Sequence, residues 1–115
     1  MTGLIHVRAR LGQHAEAYEL AEELRARVTE DTEALYNLVC GYSLCASAVR
    51  QERKLDDMPA DERTLYDQYL AAAIDTLRDA MKHGYNNLSA LETDPDLAAI
   101  RETPEFASSL RDLKN

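Results

Sequence analysis

The chain has 115 residues, enough for one domain around a single continuous core, and its four Gly and three Pro among many Ala, Leu, Glu and Arg make a helix-forming composition. A formal charge of −8 without a basic stripe is repelled by phosphate backbones and argues against nucleic-acid binding. No apolar run reaches the length of a membrane span, and Met1–Gly3 lead straight into mixed polar sequence with no signal-like apolar region, so a soluble, cytoplasmic chain without membrane insertion is expected.

Leu4, Val7 and Leu11 fall at helical spacing, with Ile5 at the edge, and predict a short helix closed by Gly12-Gln13. Ala17, Ala21, Leu24 and Val28 carry a second helix over His14–Val28. Thr29–Asp31 is a polar break, with Asp31 or Thr32 the N-cap of a long third helix. That helix has one apolar stripe, Leu35, Leu38, Val39, Tyr42, Cys45, Ala46 and Val49, and a wet face of Glu33, Asn37, Ser43, Ser47, Arg50 and Lys54. Its end is predicted near Lys54, with a turn over Leu55–Ala60. Pro59 is expected in the first turn of the next helix, where Asp61 and Glu62 favour the dipole.

The fourth helix repeats the stripe with Leu65, Tyr69, Ala73, Leu77, Ala80 and Met81 and ends at His83-Gly84. Neither long stripe can be buried alone, so the two helices are expected to pair antiparallel. Beyond Gly84 the elements shorten. Asn86 or Asn87 caps a helix carrying Leu88 and Leu91; Asp94-Pro95 starts another with Leu97 and Ile100; Thr103-Pro104 starts the last, with Phe106, Leu110 and Leu113. A polar-backed cap of this kind seals the end of a helical stack.

Leu35, Leu38 and Tyr42 on one helix, with Ala73 and Leu77 on its partner, resemble the two halves of a tetratricopeptide (TPR) hairpin. Val39 stands in the glycine place, Tyr85 in the place of the closing proline, and Tyr42 and Ala73 lie 31 positions apart, so the hairpin is elongated. Leu11-Gly12-Gln13-His14-Ala15-Glu16-Ala17 resembles the turn of a preceding unit. The tail, Asp94-Pro95-Asp96-Leu97 with Pro104-Glu105-Phe106, is similar to the closing segment of bacterial TPR proteins. Together these features resemble the TPR regions appended to bacterial serine/threonine protein kinases, although the kinase motifs themselves are absent. The resemblance implies an all-α fold of TPR-like antiparallel hairpins, an α-α superhelix. A first hairpin would span 4–30 and an elongated second one 32–83, with short capping helices over 86–113.

It also implies a protein–protein interaction module in a signalling protein, with a concave groove edged by Glu33, Tyr36, Asn37, Cys40, Ser43 and Leu44. Asn37 matches a peptide-contacting Asn of repeats that clamp acidic C-termini, but the accompanying basic residues are missing, and the favoured reading is that Asn37 bonds only within its own repeat. The alternative is a homodimerising scaffold whose open N-terminal end covers Leu4, Ile5, Val7 and Leu11. Cys40 and Cys45, five apart on a helix, point about 140° from one another and read as core residues. None of His6, His14 and His83 sits at ligand spacing, and no nucleophile–base pair stands out, so no metal, cofactor or catalytic residue is expected.

Overall fold

The computed structural model describes residues 14–27, 30–51 and 53–114, and every regular element among them is helical. The short helix expected over Leu4–Leu11 lies outside the described residues. Helix α1 runs His14–Arg27, α2 Thr32–Arg50 and α3 Ala60–Lys82; the shorter α4 (Leu88–Thr93), α5 (Ala98–Arg101) and α6 (Pro104–Lys114) follow, with 3₁₀ turns at Leu55–Asp57 and Pro95–Leu97.

The centre is the antiparallel pair α2–α3, the most extensive contact between elements. Asp31 starts α2 from extended backbone, its carboxylate accepting the amides of Glu33 at 3.1 Å and Ala34 at 3.2 Å. The α2 stripe is buried from Leu35 to Val49, and Tyr69, Ala73, Leu77 and Ala80 face it from α3. The α3 side is wider than the stripe read from sequence, because Tyr66 and Ile74 are buried as well, while Leu65 is half-buried. Each fully buried Leu or Tyr of this interface contributes about 1.5–3 kcal/mol, which no surface contact of the fold approaches.

The turn differs from expectation. Helix α2 stops at Arg50, short of Lys54, because Gln51 takes left-handed backbone (φ 52°) and its amide closes on the Ser47 carbonyl at 3.0 Å. Arg53 then folds back on the helix end and donates to the carbonyls of Val49 (2.7 Å) and Arg50 (2.9 Å), which a further turn would have used. The same guanidinium grips Glu62 at 3.0 and 3.2 Å, in the first turn of α3. One side chain thus fastens the end of one helix to the start of the next. Pro59 stands at the N-cap itself, just outside the helix.

Helix α1 approaches closely because its inward residues, Ala17 and Ala21, are small and fully buried. Tyr18 reaches between Tyr42 (ring centroids 5.6 Å apart) and Tyr69 (4.9 Å). Polar groups on its flank are tied to the pair: Tyr42 donates to Glu22 at 3.1 Å, and Arg25 reaches Asp79 at 2.8 Å and Thr76 at 3.3 Å.

Gly84 adopts φ 106°, a backbone that side-chain-bearing residues rarely take, and lets the Tyr85 amide close on the Ala80 carbonyl at 2.9 Å. Asn87, Asp94 and Thr103 then start successive short elements, each accepting a backbone amide two or three residues on. Arg101 donates to the carbonyls of Leu91 and Asp94, welding α4 to α5. The tail does more than close the end of the hairpin. Its 95–97 turn and α5 pack along α2, and Leu91, Leu97, Ile100 and Phe106 join the common core.

Candidate functional site

The six residues expected to edge an open groove lie on α2, and the tail covers part of that face. Cys40 is 2% exposed and Ser43 is fully buried, which corrects their assignment to a peptide-binding surface and, for Ser43, to the wet face. Tyr36 and Asn37 are half-buried, Leu44 is half-buried beside the core, and Glu33 alone is exposed. The cause is Asp94. Its Oδ2 accepts the Tyr36 hydroxyl at 2.5 Å and faces the Cys40 thiol at 3.8 Å, while Oδ1 caps the 95–97 turn through the Asp96 amide at 2.9 Å. Tyr85 stacks on Tyr36 with centroids 5.0 Å apart and planes 15° from parallel. Segment 85–97 of the chain itself thus covers the Tyr36–Cys40 side of α2.

The electrostatics of this cluster follow from burial. Burial, then the Asp94 charge, pushes the Cys40 thiol up to about 12, while burial and the hydrogen bond to Asp94 raise the Tyr36 hydroxyl far above its ordinary range. Burial alone would raise Asp94 too, but the Tyr36 hydroxyl, the Asp96 amide, the Cys40 thiol and the Arg101 charge hold its carboxyl below the ordinary value. Cys40, Asp94 and Asp96 offer three donor atoms within 4.8 Å of one another. This convergence was invisible in the sequence, since the partners lie more than fifty positions apart. The donors suit a metal poorly: one soft thiol held protonated, and an Asp94 carboxylate already engaged at both oxygens.

An open groove lies on the other side of the hairpin. Its floor is Tyr66, Leu70, Ala71 and Ile74 of α3, with Leu55 closing one end, and Glu102–Glu105 form the far wall around Pro104. It encloses about 540 Å³ and is the larger of the clefts described. Two α3 rows build it, because 66, 70 and 74 and their neighbours 63, 67, 71 and 75 recur at helical spacing. The banks are charged: Arg63, Asp67, Asp75 and Arg78 on α3, Glu102 and Glu105 opposite. Arg63 is paired with Asp67 at 3.2 Å, and Glu102 with Arg50 at 2.5 Å. In the sequence this surface is a second apolar row of the fourth helix, Tyr66-Leu70-Ile74, which sits beside the main stripe and carries no signal of its own.

A second cleft, about 450 Å³, is lined by Tyr18, Glu22, Arg25, Tyr42, Gln68 and Thr76. Six of its polar side chains are engaged with one another through the Tyr42–Glu22, Gln68–Tyr18 and Arg25–Thr76 bonds, while Asp75, which also lines it, takes no part in them.

No protein-family model, no curated protein and no solved structure matches this chain. No described helix is long and apolar enough to cross a membrane.

Proposed function

We propose that the chain is a non-catalytic protein–protein interaction module of TPR type, part of or associated with a bacterial signalling protein, and that its partner docks in the groove between α3 and the Glu102–Glu105 wall. The observation that carries this reading is the open cleft along α3, where half-buried Leu70 and exposed Ala71 border solvent above the buried Tyr66 and Ile74, so that a partner's apolar side chains would displace water there. The groove follows α3 from Arg63 to Arg78, about 22 Å or four helical turns, which suits an elongated ligand better than a small molecule.

The test is a photo-crosslinking residue introduced in cells at Ala71, with exposed Glu23 on α1 as the control position. Capture of one discrete partner from position 71 and none from position 23 is expected. Equal capture at both positions, or none at 71, would contradict the reading.

A further inference from the structure

We draw no further inference here: the strongest candidate, the open cleft between α3 and the Glu102–Glu105 wall, belongs to the docking site already described, and nothing in the structure shows what covers it, since exposed Arg78 offsets Asp75 on the α3 bank and Tyr66 and Ile74 of its floor are buried.

Discussion

The Tyr36 hydroxyl donates a 2.5 Å hydrogen bond to Asp94, joining the first turns of α2 to a tail residue 58 positions later. This contact, with the Tyr85 stack, decides which face of the hairpin is covered. Tyr36 is therefore part of the folded structure as well as a surface residue. Tyr36→Phe should cost about 1 kcal/mol by removing a hydrogen bond to a charged acceptor at a half-buried site. Tyr36→Ala, which also loses the stack, should cost about 2 kcal/mol. Chemical denaturation measures both, and an unmoved midpoint in Tyr36→Ala would mean the tail is not held at this point.

Asp94 makes the same contact pH-dependent. Its folded carboxyl lies below the ordinary value, because the Tyr36, Asp96, Cys40 and Arg101 groups outweigh its burial, whereas in the unfolded chain it returns to about 3.9. The folded state binds this proton less readily, so the stabilisation is complete above the unfolded value and disappears as pH falls through the lower folded one. The stability gap between wild type and Asp94→Asn should stay level from neutrality to about pH 5 and narrow below it. A gap that widens on acidification would contradict the assignment.

The thiols report on the covering in another way. Burial, then the Asp94 charge, pushes Cys40 up to about 12, and burial does the same for Cys45; both are almost inaccessible. A disulfide reagent at mildly alkaline pH should label neither thiol in the native chain, and labelling should follow the global unfolding rate. Rapid labelling of Cys40 would show that the tail lifts from α2.

Ser43 carries a fully buried hydroxyl with no hydrogen-bond partner among the described residues. Ser43→Ala removes that unmet group and improves helix propensity, so it should leave stability unchanged or raise it by about 0.5–2 kcal/mol. A loss of stability on thermal denaturation would reveal a partner for Oγ.

The hairpin was legible in the sequence because its information is local. Leu35, Leu38 and Tyr42 announce one buried face, Ala73 and Leu77 its partner, and Asp31, Gly84 and Thr103 mark ends through their own backbone chemistry. Leu38→Ala and Leu77→Ala should accordingly each cost about 2–5 kcal/mol. The end of α2 was not legible, since nothing in Gln51 announces a left-handed residue and the Arg53–Glu62 clamp exists only once the turn has formed. The candidate site failed to show for a related reason. Periodicity gives Tyr36, Cys40 and Ser43 a face of α2, but not what packs over that face. Asp94 reads locally as a helix cap, and its second role needs the tail folded back. Tyr66, Leu70 and Ile74 form an ordinary apolar row until the fold leaves it at an open cleft.

The tail closes the Tyr36–Cys40 side of α2 and leaves the α3 groove open. Hydroxyl-radical footprinting of the native chain, read residue by residue, distinguishes the covered side from the open one. Cys40, intrinsically the more reactive side chain, should be strongly protected, while Leu55, Leu70 and Pro104 along the groove are modified. Modification of Cys40 together with protection of the groove residues would mean that the covered and open faces are the reverse of those described.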